Sequence, residues 1–200
     1  MSAVIEALAL LAITLPLAVH FEVPSLWLLT PFALLTATRR RYEDYGLTLR
    51  RPGSLRFHLT VCSVIYGSYC LAHYGYGHWW LGRTFQPTLA PDFAAQVIDQ
   101  ILVVGLSEEF FFRGYVQTQF NRWLGRPYRV LGAQCGWGLI AAAVLFGLCH
   151  LVDGDLTRAR VVFFGLFAGW LRERTDTIAV PGAYHGIANL LYDFMQRSLR

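Results

Sequence analysis

"SEEFFFRGYVQ" (residues 107–117) sets two adjacent carboxylates and an arginine among four aromatic rings. The stretch closes an apolar run, 94–118, that is long enough to cross a bilayer as a helix. Carrying an ionised side chain to the middle of such a helix costs about 2.5–3.5 kcal/mol on insertion scales, so charges there are rare and turn away from lipid. Glu108, Glu109 and Arg113 therefore either rule out a span or mark its working interior. The rest of the chain decides between the two.

Of the 200 residues, 55% are hydrophobic and only 15% are charged, and the mean hydropathy is +0.40. Soluble domains carry about a quarter charged residues. The apolar residues also come in unbroken runs, without the alternation or one-sided stripes of half-buried elements. The fold class this implies is all-α, a polytopic transmembrane helix bundle. Runs at 3–20, 24–38, 56–73, 94–118, 130–150, 159–172 and 178–195 predict about seven spans, and an eighth arises only by splitting one of these. No repeat, linker or low-complexity segment interrupts them, which predicts one domain over 1–200 with its motif-bearing core at about 94–195. The first run has no basic residue before it, and Glu6 stands where a signal peptide would be positive, so this run is expected to remain as a span.

All 17 basic residues are arginines, against 13 acidic ones, for a formal charge of +4. A basic balance can mean nucleic acid, but these arginines gather in the breaks between apolar runs, and no nucleic-acid partner is expected. Six lie in 39–56, three in "NRWLGRPYR" (121–129) and two in "LRERT" (171–175), all alternate gaps on one side of the membrane. The positive-inside rule places that side, and the N-terminus with it, in the cytoplasm. Cys62, Cys70, Cys135 and Cys149 fall in apolar runs without CxxC spacing and read as small core residues. His73 and His78, in the Tyr- and Trp-rich 73–87 segment, read as packing at the membrane–water interface.

The chemistry has to come from the buried polar groups. Glu109 and Arg113 are four apart and can pair on one helical face, so this pair accounts for itself. Glu108 points about 100° away from Glu109 around the helix and has no local partner. Two later spans supply candidates. "FGLCH" aligns Phe146 with His150, and "HGIAN" stacks His185 on Asn189. If the three spans converge, each of these groups finds a partner in the others. Glycines four apart (Gly132 and Gly136, Gly165 and Gly169, Gly182 and Gly186) would let the helix backbones approach closely.

"EEFFFR", "FGLCH" and "HGIAN" resemble the EExxxR, FxxxH and HxxxN motifs of the CAAX-protease and bacteriocin-processing (CPBP) family of intramembrane proteases, in the same order and on separate helices. The resemblance covers 108–189, nearly half the chain, and the best-described members have eight spans. It implies a glutamic-type endopeptidase. Glu108 would activate water, His150 and His185 would hold that water, and His185 with Asn189 would stabilise the oxyanion. Glu109, Arg113 and Phe146 would support these residues. No cofactor is expected. The alternative is a zinc enzyme using Glu108, His150 and His185, although no HExxH motif is present. A non-catalytic membrane chaperone or immunity protein is a further alternative. The expected partners are the lipid bilayer and a protein or peptide substrate with a membrane-embedded or lipidated terminus, processed in CAAX fashion or as a C-terminal sorting tail. The compact chain points to a prokaryotic cytoplasmic (inner) membrane.

Overall fold

The computed structural model describes residues 2–48, 52–152 and 154–200. Arg50 and Arg51 of the arginine-rich segment lie outside the described residues. Among the described residues the chain forms seven helices and one small hairpin. The first three helices are α1 (Ser2–Phe21), α2 (Leu26–Ala37) and α3 (Leu55–Gly75). The fourth, α4, runs without a break over 93–124. The hairpin of β1 (Tyr128–Val130) and β2 (Ala133–Cys135) follows. Then come α5 (Trp137–Cys149), α6 (Val161–Thr175) and α7 (Ala179–Ser198).

Local chemistry sets several of these ends. The Ser54 side chain accepts from the Phe57 N–H at 3.2 Å and caps α3. Asp176, in the left-handed region, closes α6, and the Thr177 hydroxyl accepts from Ala179 N–H at the start of α7. The predicted span 130–150 is shorter than its apolar run, because 128–135 folds into the antiparallel hairpin and the helix begins only at Trp137. Leu131 and Gly132, both at positive φ, make the turn. Gly132 and Gly136 thus belong to a hairpin and its exit, not to a helix–helix contact. The fourth run, by contrast, continues to Leu124, past the expected end at 118.

α4 is the central element and packs against α1, α2, α5, α6 and α7, while α5 packs on α6 and α6 on α7. It contains two π-helical stretches, Asp99–Gly105 and Phe110–Val116, separated by one α-helical turn, Leu106–Glu109. Such widened turns reset the angular phase of a helix and concentrate at functional sites. At the α4–α7 crossing the backbones touch. A Cβ added at Gly186 would stand 2.6 Å from Ile101 Cα and 2.7 Å from Gln100 O.

Buried polar groups coexist with an apolar surface. Glu109, Arg113, Gln117, Gln119 and His185 are buried, while Ile5, Leu59, Leu71, Ile98 and Leu148 are exposed. That arrangement suits a hydrocarbon surround. Ser2–Phe21 is, among the described residues, the one helix long and apolar enough to cross a membrane unaided, and Leu26–Ala37 and Trp137–Cys149 are shorter apolar helices. Two carboxylates tie the Arg122 end of α4 to its neighbours. Glu6 of α1 takes both terminal nitrogens of Arg40, at 2.6 and 2.7 Å, together with the Tyr115 hydroxyl and Gln119. Glu173 of α6 accepts from Gln117 and Asn121, each at 2.7 Å, and from Arg126 at 2.9 Å. All four cysteines are free thiols.

Candidate active site

Glu109 and Arg113 lie one helical turn apart, and the guanidinium Nη1 donates to Glu109 Oε1 at 2.8 Å with both side chains fully buried. The guanidinium carbon stands 4.2 Å from the centre of the Phe146 ring, a second source of stabilisation for a dry cation. The same Oε1 faces His185 Nδ1 at 2.9 Å. A carboxylate only accepts, so Nδ1 carries the proton and donates to it. That fixes the imidazole with Nε2 turned toward Glu108, whose Oε2 is 3.9 Å away. The distance exceeds a direct hydrogen bond and matches a gap bridged by one water. Glu108 Oε2 is buried and has no hydrogen-bond partner among the described residues.

Aromatic rings hold the histidines. Phe146 lies 4.4 Å from His150 and 5.9 Å from His185, centroid to centroid, and Phe164 of α6 lies 5.0 Å from His185. His150 caps the C-terminal end of α5, and its Nδ1 donates to Phe146 O at 2.9 Å. Close approach of α6 is required here. A Cβ on Gly165 would stand 3.0 Å from Ala143 and 3.2 Å from Arg113 Nη2.

Two cavities meet at His150. One, of about 500 Å³, is lined by His150, His185 and Asn189 among apolar walls from Ile65, Phe146 and Phe164. The other, of about 250 Å³, is lined by Glu108, Phe112, Cys149 and His150. Arg158 borders both. A third cavity, of about 600 Å³ between α3, the hairpin, α5 and α6, is apolar and contains none of the candidate residues.

The structure therefore brings Glu108, Glu109, Arg113, Phe146, His150 and His185 together. Asn189 reaches the cavity of the two histidines, but its Nδ2 donates away from them, to Gln100 Oε1 at 2.8 Å. Gln100 is absent from the sequence reading. The available signal was its neighbour Asp99, a carboxylate inside the predicted span 94–118. Among the described residues no three His, Cys, Asp or Glu side chains are grouped so that they could hold a metal ion.

A family model described as Rce1-like, type II CAAX prenyl endopeptidase Rce1-like, matches residues 90–191, which contain every candidate residue above. No curated protein and no solved structure matches the chain.

Proposed function

The chain belongs to the Rce1-like family of type II CAAX prenyl endopeptidases, membrane-embedded proteases, and from that premise we propose a metal-independent, glutamic-type intramembrane cleavage centred on Glu108. The observation that carries the proposal is the division of labour between neighbouring carboxylates. Glu109 is occupied by Arg113 and His185, whereas Glu108 Oε2 has no partner and lies one water's width from His185 Nε2.

In this reading a water donates to Glu108 and to His185 Nε2, leaving its lone pairs toward the substrate. Glu108 takes one proton as the water oxygen bonds to the scissile carbonyl carbon. The oxyanion is met by an Asn189 N–H, with His150 and His185 completing the pocket. The C–N bond breaks as the proton on Glu108 passes to the leaving amine, which returns the carboxylate. A single pre-aimed oxyanion donor is worth about 2.7–4 kcal/mol in other proteases.

All seven helices are proposed to lie in a prokaryotic inner membrane with the N-terminus cytoplasmic, as one domain. α5 has 13 residues and spans about 20 Å, less than the ~30 Å hydrocarbon core, so His150 at its C-terminal end stops below the outer surface and the segment that follows completes the crossing. The substrate is proposed to be a protein or peptide with a lipidated or membrane-embedded terminus. The test uses wild-type and Glu108→Gln protein in liposomes, with a farnesylated CAAX peptide and a sorting-tail reporter. Cleavage of either probe by wild type and loss in the variant is the expected result. Equal turnover by both proteins would overturn the assignment.

A further inference from the structure

We infer that Gln100 is a positioning residue that orients the Asn189 carboxamide for catalysis, an assignment that rests on the proposed role of Asn189. The argument begins at Asp99. Its Oδ2 accepts from Gln100 Nε2 at 3.0 Å. A carboxylate cannot donate, so the nitrogen of the Gln100 amide faces Asp99 and its oxygen faces away. That oxygen, Oε1, stands 2.8 Å from Asn189 Nδ2. An amide oxygen only accepts, so Asn189 must present its NH2 group to Gln100 and not its own oxygen.

The chain of acceptors and donors Asp99–Gln100–Asn189 thus selects one of the two flips of the asparagine amide. One N–H is committed to Gln100, and the second is the donor left for the cavity that Asn189 lines with His150 and His185. The reverse flip would set two amide oxygens against each other.

The backbone holds this contact in register. Gln100 lies in the π-helical stretch Asp99–Gly105, and its carbonyl oxygen lies 2.7 Å from where a Cβ on Gly186 would be. Gly105 approaches Gly182 O in the same way, at 2.6 Å from its would-be Cβ. α4 and α7 are therefore in backbone contact along the two turns of α7 that lead up to Asn189, and the widened turn sets Gln100 at the angle that meets Asn189.

The test uses Gln100→Leu, which removes the acceptor at similar size, and Gln100→Glu, which keeps it. Each is made in the wild-type and the Asn189→Ala backgrounds and assayed on whichever of the two reporter probes wild type cleaves. Losing one oriented hydrogen bond predicts a fall in kcat of about tenfold for Gln100→Leu with KM unchanged. Gln100→Glu should recover most of that loss, and Gln100→Leu should have no further effect once Asn189 is alanine. A raised KM with a lowered Tm, or an undiminished loss in the Asn189→Ala background, would show that Gln100 merely supports the helix crossing and would overturn the inference. Failure of wild type to cleave either probe would instead refute the proposed protease reading, and this assignment with it.

Discussion

Removing Glu109 should destabilise the protein more than it would if the residue sat at a surface. Glu109 and Arg113 are both fully buried, 2.8 Å apart. With an effective dielectric of about 20, two unit charges at 2.8 Å attract by about 6 kcal/mol, and desolvation offsets much of this. Arg113 Nε and Nη2 have no hydrogen-bond partner among the described residues, so after Glu109→Ala the cation keeps its contacts with the Phe146 and Phe112 rings and the more distant Glu108 charge, without the short ion pair. Breaking a buried pair from one side typically costs about 3–5 kcal/mol. For a chain of this size that corresponds to a Tm lowered by about 10 °C. The double variant Glu109→Gln with Arg113→Gln removes both charges and should recover at least half of the loss. The measurement is thermal unfolding in one detergent at a fixed heating rate, since membrane proteins commonly unfold irreversibly. A double variant less stable than either single one would refute the pairing argument.

The remaining predictions separate chemistry from scaffold. Glu108→Gln should abolish cleavage with Tm within a few degrees of wild type, because no partner is lost; a large drop in Tm would make Glu108 structural. Asn189→Ala should retain measurable turnover, reduced about 10²–10³-fold in kcat, since one oxyanion donor is removed and the base remains. Gly186→Ala should fold poorly, its Cβ meeting Ile101 Cα at 2.6 Å, whereas Gly67→Ala in α3, with nothing within 4 Å, should be neutral or stabilising; equal behaviour in expression and melting would contradict the close α4–α7 crossing. In a background lacking the four native cysteines, Leu156→Cys should react with an impermeant maleimide in intact cells and Arg56→Cys only after permeabilisation, and the opposite pattern would invert the topology.

The three polar stretches were legible because charge inside an apolar run is conspicuous, and helical spacing alone paired Glu109 with Arg113 and isolated Glu108. What spacing could not supply was the third partner. His185 is 76 positions from Glu109, and only the α4–α7 contact brings Nδ1 to 2.9 Å from the carboxylate. The hairpin was hidden for a different reason. "YRVLGAQC" is apolar enough to read as the start of a span, and the positive φ of Leu131 and Gly132 that turns it back is a backbone property with only one glycine as a cue. Gln100 was missed because a neutral amide in a span draws no attention until its partner is known.

The adjacency of Glu108 and Glu109 is itself the device. On an α-helical turn neighbouring residues point about 100° apart, so two identical side chains meet different surroundings. Toward α7 and the Arg113 turn, the carboxylate is enclosed at 0% exposure and shared between a cation and an imidazole, and there it sets which histidine nitrogen carries the proton. Toward the smaller cavity, the other carboxylate retains 15% exposure and lacks a partner, the state a base needs in order to meet water. π-helical stretches flank that turn on both sides, but the turn itself stays α-helical, which preserves the 100° separation. A one-residue shift of phase at Leu106 would rotate both carboxylates by about 100°, carrying one of them into the other's surroundings and taking Glu109 away from His185.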